Sequence, residues 1–290
     1  MGSTRTRVAA RGGFTLVETL IALVLSSFVI ALASHSFLVQ NQFYALQTLR
    51  VGVQDNARAA TELVAREVRN TAKDGVVVAG ARTLTVRSPM VMALVCYRQG
   101  SANADVLSEG GQGALETNAV AGVALRNDST WEYVTSTWAS LDGTDTNSPI
   151  ECESNGADTV GVRNDFYRLN GVNSVFTGGV QAGDVLMLFR ETTFSIRTSE
   201  LDPTTLGLFR ADYGATAVEF ATGIDTTAQF QYRTSAGSYV DTVTAGSLSA
   251  VDAVRIVLDS RKPPATGGTE DVTFGWSVNV PLRNVRGGGS

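Results

Sequence analysis

Histidine and cysteine are scarce in this chain, which holds one histidine, His35, and two cysteines, Cys96 and Cys152. Two thiols exclude a four-thiolate zinc site and a disulfide-dense scaffold. A Ser-His-Asp triad or a Cys-His pair would have to use His35, and a single histidine excludes a multi-histidine metal site. If His35 is sequestered from a nucleophile, most hydrolase chemistry is excluded with it.

The chain also lacks an excess of positive charge, because 23 Lys and Arg residues stand against 28 Asp and Glu residues. A net charge of −5 gives no basic footprint for nucleic acid. Aromatic stacking on single-stranded nucleic acid is an alternative role for Trp131, Tyr133 and Trp138 near Arg126, but the acidic balance favours packing in a core or on a partner surface. The glycine-rich residues 110–113 lack the lysine of a phosphate-binding loop, so no cofactor is predicted.

Charged residues are nearly absent near the N-terminus, where residues 14–33 are almost continuously apolar. After Glu18 the next charged side chain is Arg50, which leaves a segment long enough to cross a bilayer as a helix. Three arginines and no acid precede it, so we expect the N-terminus in the cytoplasm and the remainder outside it. A cleaved secretory signal is the alternative, but this apolar run is longer than usual and retains an acid.

The sequence from Arg11 to Leu23, RGGFTLVETLIAL, resembles the prepilin cleavage and methylation signature of type IV pilins and type II secretion pseudopilins. The resemblance implies that a prepilin peptidase cuts after Gly13 and methylates the new amine of Phe14. It also implies that Glu18 guides assembly through an ion pair with the Phe14 amine of its own or a neighbouring subunit. The implied partners are other major and minor pilins or pseudopilins, the inner membrane assembly platform and membrane lipid.

A weaker resemblance to PilW-like minor pilins and J-type pseudopilins covers residues 54–72, 251–258 and 278–284. The presence of Glu18 counts against the K-type tip subunit, which typically lacks that acid. The chain is therefore expected to be a minor pilin in the inner membrane and then in a pilus, and not an enzyme. A J-type pseudopilin of a type II secretion system is the alternative, and a membrane-anchored exported enzyme is a distant one.

The N-terminal third of the chain is predicted to form one long helix, since residues 14–74 hold no proline and a single glycine, Gly52. We expect residues 1–13 as a leader, 14–39 as the transmembrane half and 40–75 as an amphipathic half that ends at Gly75. The apolar positions that recur in the second half, here called the apolar stripe, are Val53, Ala57, Ala60, Val64 and Val68.

Beyond the helix the pattern changes to short β-branched runs, which predicts a β-rich head over residues 76–285 and a flexible tail over 286–290. The fold class is α+β, a long helix packed against a mainly antiparallel sheet as in the pilin fold. Residues 100–122 and 141–158 are polar and glycine-rich and are predicted to be loops. Strands are expected at 76–79, 83–87, 91–98, 131–135, 184–191, 206–211, 216–221, 228–233, 252–258 and 272–280.

Two further sites follow from an exported head. Cys96 and Cys152 can oxidise there, and a disulfide between them would contribute roughly 4 kcal/mol by chain entropy. The alternative is two separate thiols, with Cys96 as a buried hydrophobic residue.

The second candidate is a weak Ca²⁺ site. The spacing of its residues matches no EF-hand loop, so that a solvated loop is the favoured interpretation. Its oxygen ligands would be Asp142, Asp145, Asn147, Glu151 and Glu153.

Overall fold

The computed structural model describes residues 15–100, 102–108, 120–127, 130–135, 141–142, 166–262 and 272–283. Within them the chain forms one long N-terminal helix followed by an antiparallel sheet, so the predicted α+β class is confirmed. The leader and most of the second predicted loop lie outside the described residues.

Helix α1 spans Leu16–Asn70 and falls into two parts with different surroundings. Every described side chain between Thr15 and Asp55 is exposed, whereas Ala57 is the first buried one. From there the described members of the apolar stripe are buried in a core shared with the sheet. The second half of the helix therefore carries the head, and the first half extends away from it.

The end of α1 differs from the predicted stop at Gly75, because the last helical residue is Asn70. Thr71 turns the chain into an extended conformation while its N–H donates to the carbonyls of Glu67 and Val68. Glycine is needed at position 75 because other atoms pack closely around its Cα, and not because it caps the helix. A Cβ there would lie 2.8 Å from the Thr71 side chain and 3.2 Å from the carbonyl oxygen of Arg87.

The head is a twisted antiparallel sheet in which a second, four-residue helix, α2, connects two strands. Its strands are β1 (Val76–Gly80), β2 (Thr83–Gln99), β3 (Asn103–Ser108), β4 (Gly122–Asn127), β5 (Thr130–Thr135), β6 (Leu141–Asp142), β7 (Phe166–Leu169), β8 (Val185–Thr198), β9 (Leu206–Asp212), β10 (Val218–Ile224), β11 (Gln229–Thr234), β12 (Tyr239–Val240), β13 (Val251–Lys262) and β14 (Val272–Pro281), with α2 at Val172–Val175.

The strands are ordered β12-β11-β13-β10-β9-β8-β2-β3-β7-β6, and four strands branch from this path. Strand β1 pairs with β2, β14 pairs with β13, and the β4–β5 hairpin pairs with β8. Helix α1 packs mainly over β13 and β14 and also contacts β10 and β2. One core lies under the helix, a second lies between β2, β3 and β8, and a smaller one lies under the β4–β5 hairpin.

Three further predictions of secondary structure are wrong. Strands expected at 83–87 and 91–98 form one strand, β2, because the chain continues through Pro89 with a shift of register against β8. The predicted loop 100–122 contains β3, which pairs with both β2 and β7. The described start of the predicted loop 141–158 forms β6, which pairs with β7.

Candidate assembly site at the helix N-terminus

Helix α1 begins with a reciprocal pair of hydrogen bonds between Thr15 and Glu18. The Thr15 hydroxyl accepts from the N–H of Glu18 at 3.3 Å, and the Glu18 carboxylate accepts from the Thr15 N–H at 3.0 Å. The Thr15 hydroxyl also donates to the same carboxylate oxygen at 3.0 Å. This capping box uses backbone N–H groups that have no partner inside the helix.

The sequence supports this local geometry directly, because a threonine three residues before a glutamate at the start of an apolar run is the pattern of a capping box. An acid in the first turn also interacts favourably with the helix dipole. Glu18 was predicted as a site residue and Thr15 was not, although the Thr-x-x-Glu spacing is the signal that identifies Thr15.

The helix that follows is the one described helix long and apolar enough to cross a membrane. Its large apolar side chains are exposed, for example Leu16 at 79%, Leu23 at 72% and Phe28 at 68%. Water would make such a surface costly, whereas a bilayer or the packed helices of other subunits would cover it. The capping box lies at the end of this surface, where an acid is otherwise expensive to bury.

The predicted cleavage site, Gly13 and Phe14, lies outside the described residues. The ion pair between Glu18 and the Phe14 amine is therefore a prediction that no contact tests. Thr15, which holds the Glu18 carboxylate, directly follows Phe14 in the chain. The Glu18 carboxylate is thus hydrogen-bonded to the residue that would be second in the cleaved chain.

The predicted disulfide also stays a prediction, because Cys152 lies outside the described residues. Cys96 lies on β2 and is 3% exposed, with its Sγ 3.3 Å from the carbonyl oxygen of Asp105. The side chain of the same Asp105 is buried and paired with Arg168, which contacts both carboxylate oxygens at 2.7 and 3.0 Å. Any bridge from Cys96 would join this part of the head to the region beyond β6.

The Ca²⁺ candidates fall mostly outside the described residues. Asp142 is placed on β6 by its backbone, where it pairs with Arg168, while Asp145, Asn147, Glu151 and Glu153 are not described. Among the described residues no group of three or more His, Cys, Asp or Glu side chains is arranged to hold a metal ion.

His35 lies on the exposed apolar half of α1. The described side chains around it on that half of the helix are exposed, and the first strand of the head begins more than 30 residues further along the chain.

The aromatic residues considered for nucleic-acid binding are only partly described. The ring of Tyr133 lies edge-to-face against Phe189 in the core under the hairpin, and Trp138 is not described.

A partly buried ionic cluster that was not predicted from the sequence joins the end of α1 to the sheet. Glu67 accepts from the Ser88 hydroxyl at 2.9 Å and from Arg190 at 3.1 Å, and the Arg210 guanidinium lies 3.6 Å away. Its members come from α1, β2, β8 and β9, so only the tertiary fold brings them together.

Comparison with known proteins supports the assignment of the N-terminal segment. Residues 9–34 match the family model of the prokaryotic N-terminal methylation motif. This match supports a type IV pilin-like or pseudopilin protein, and with the apolar helix it fits a single-pass anchor in the inner membrane. The motif implies processing by a prepilin peptidase and assembly with other pilins. No curated protein and no solved structure matches the chain.

Proposed function

We propose that this chain is a PilW-like minor pilin, a subunit that enters the tip or base of a type IV pilus or primes its assembly. The observation that carries the proposal is the continuity of three parts: the methylation motif, a capped and exposed apolar helix, and a β-rich head packed on the end of that helix. A head built from many strands is large for a subunit repeated along a filament, which supports a low-copy position.

The protein acts by assembly and not by catalysis. Its helix presents an apolar surface that other helices can cover, and Glu18 at the start of that surface offers a charge to an incoming or preceding amine. The rival, an exported enzyme, predicts turnover of ester, peptide or glycoside substrates by the purified full chain. Absence of turnover in such a screen is the expected result, and turnover that depends on a residue of the head would refute this part of the proposal.

The proposed location follows from the same segment. The three arginines before the apolar run keep the leader in the cytoplasm, and the head lies on the far side of the inner membrane. Protease added to spheroplasts should digest the head while leaving the anchor protected. Protection of the head in intact spheroplasts, with digestion only after lysis, would contradict this orientation.

The methylation motif is common to pilins and pseudopilins, so a J-type pseudopilin is the second candidate. Deletion of the gene, complemented by the wild-type chain, separates the two. Loss of surface pili and co-purification of the chain with sheared pili support the minor pilin. Normal pili together with loss of a secreted enzyme would instead identify the pseudopilin.

A further inference from the structure

Strand β14 forms a long edge of the sheet. It pairs with β13 over ten consecutive residue pairs, from Ala253 with Pro281 to Lys262 with Val272, without a shift of register. Among the described residues no strand pairs with its other side. Among the described residues the outward backbone groups of β14 have no partner, and just beyond the strand the N–H of Arg283 donates to the carbonyl of Thr71 on the same side.

Two hydrogen bonds show which backbone groups of β14 point outward. The N–H of Leu282 donates to the carbonyl of Asp252 at 3.0 Å, so the even-numbered residues before it face β13. On the far side of β13, the carbonyl of Asp259 accepts from the N–H of Asp225 at 2.7 Å, so Asp259 does not bond to its β14 partner Gly275. The residues whose N–H and C=O groups point outward are thus Thr273, Gly275, Ser277 and Asn279.

This edge lacks the devices that usually keep sheet edges apart. Such edges are normally very short, charged or interrupted by bulges. In the described sheet, β6 and β12 have two residues each, β5 carries Glu132, and β1 receives a hydrogen bond at Ala79 from the N–H of Val243. Strand β14 has ten residues and no charged side chain, and Pro281 interrupts its donors only at the end.

The two faces beside the edge define the strand that fits it. On the helix side, Val278 packs against the main core and the rings of Phe274 and Trp276 stack with centroids 6.1 Å apart while remaining half-exposed. On the other face Gly275 and Ser277 are small and exposed. A partner strand would place apolar side chains beside the two rings and uncharged side chains on the opposite face.

We propose that the outward edge of β14 is a docking surface for an extended, uncharged strand of another subunit in the same filament, which joins the sheet by backbone hydrogen bonds. This inference rests on the proposed function. Charged strands are disfavoured because β14 carries no charge to pair with them, and Arg255 of β13, on the exposed face, already donates to Asn279 and Gln231. The contact is small, but subunits already held side by side by their anchors meet at a high effective concentration, so that a short strand pairing suffices.

The experiment uses the full-length chain in its native membrane with a photo-reactive residue at position 273, which is exposed on the outward edge. The same residue at Leu201, which is 77% exposed on a loop after β8, serves as the control position. Irradiation should join position 273 to another pilin and leave position 201 without that adduct. Adducts of equal yield from both positions, or none from position 273, would overturn the proposal.

The backbone contribution is tested by Ser277→Pro against the matched control Ser277→Ala. Proline removes an outward N–H that β13 does not use, so the ladder between β13 and β14 keeps its hydrogen bonds. We expect loss of the adduct from position 273 in the proline variant and retention in the alanine variant. Ser277→Lys keeps the N–H but adds charge to the edge, and it should also lose the adduct, which covers the case of a proline variant that melts below the wild type.

These outcomes are distinguishable from failure of the proposed function. If the wild-type chain co-purifies with no pilin or pseudopilin, the proposed function fails. If it co-purifies and the adduct survives in Ser277→Pro and Ser277→Lys, only the docking surface is refuted. An adduct that joins two copies of this chain would replace the proposed partner with a second copy and would also refute the proposal as stated.

Discussion

The carboxylate of Glu67, in the last turn of α1, contacts the guanidinium of Arg190 on β8 at 3.1 Å. The Glu67 side chain is 8% exposed, and it also accepts from the Ser88 hydroxyl at 2.9 Å. Charges this close to a sheet interior interact strongly but are costly to leave unpaired. Glu67 therefore joins the end of the helix to β2 and β8 by polar contacts, in addition to the apolar packing around it.

Glu67→Gln should destabilise the head by about 1.5–3 kcal/mol, because Arg190 and Arg210 lose the charge that they share. The matched control is Glu62→Gln, which breaks the exposed 2.7 Å pair with Arg69 and should cost no more than about 0.5 kcal/mol. Denaturant unfolding of the full chain in detergent measures both. Equal midpoints for the two variants would show that the buried cluster adds nothing to stability.

Tyr133 should make the head sensitive to alkali. Burial is the main cause that raises the pKa of Tyr133 to about 12, from an ordinary value of 10.0. The unfolded chain loses the Tyr133 proton near pH 10, whereas the folded chain holds it up to about pH 12. The free energy of unfolding is therefore unaffected by this group below pH 10 and falls as the pH rises towards 12. Thermal melts between pH 9 and 12 should show a smaller alkaline loss in Tyr133→Phe than in the wild type.

The control for that variant is Tyr232→Phe. The Tyr133 hydroxyl is buried with no hydrogen-bond partner among the described residues, whereas Tyr232 donates to the carbonyl of Gly80 at 2.9 Å. At neutral pH, Tyr133→Phe should leave stability unchanged or increase it, and Tyr232→Phe should cost about 1 kcal/mol. A reversed order at pH 7 would mean that the Tyr133 hydroxyl has a partner in solution.

Glu18→Gln should leave the helix intact and impair assembly. Glutamine can replace glutamate in a capping box with Thr15, so the start of α1 is preserved, but it has no charge for an amine. Processing and membrane insertion should match the wild type, while the fraction that co-purifies with sheared pili or partner pilins falls. Incorporation at the wild-type level would refute the assembly role of Glu18.

Cleavage after Gly13 and methylation of Phe14 predict one mass for the mature chain. Intact-mass measurement of protein from native membranes should give a polypeptide that starts at Phe14 and carries one added methyl group. Gly13→Val should keep the leader and so retain the larger mass. A mature chain that starts at Met1, or beyond residue 33, would contradict the processing prediction.

The Cys96–Cys152 disulfide is predicted for the exported protein, where oxidation is permitted. Peptide mapping without reduction should recover the two cysteines in one linked peptide pair. Cys152→Ser should lower the melting temperature in oxidising buffer and have no effect after reduction. Alkylation of both thiols in unreduced protein would decide for the alternative of two separate cysteines.

Local signals in the sequence predicted the parts of the fold that depend on local chemistry. The helix and its apolar stripe follow from composition and spacing, and Ala60, Val64 and Val68 are buried as that spacing requires. Strand positions along the second half of the chain were also close, because β-branched residues alternate there. The capping box was readable in the same way from Thr15 and Glu18.

Parts that depend on distant residues were not predictable in this way. Residues 103–108 have a polar, glycine-rich neighbourhood typical of a loop, yet they pair on both sides with other strands and bury Asp105 against Arg168. Nothing in the sequence distinguishes Glu67 from the other polar residues of α1, and only the fold places two arginines beside it. Sheet order and ion pairing arise only when segments far apart in the chain meet.

The exposed half of α1 is an arm through which a force on the N-terminal end of the helix is transmitted to the head. About 40 residues at 1.5 Å each separate the capping box from the first buried residue, Ala57, which gives an arm of roughly 60 Å. A force on the far end of α1 reaches the head through the last four turns, which pack over β13 and β14. There the helix end is joined to the head by the Glu67 ion pair and by the hydrogen bond from the N–H of Arg283 to the carbonyl of Thr71. A force along the axis of α1 would therefore act on all these contacts together.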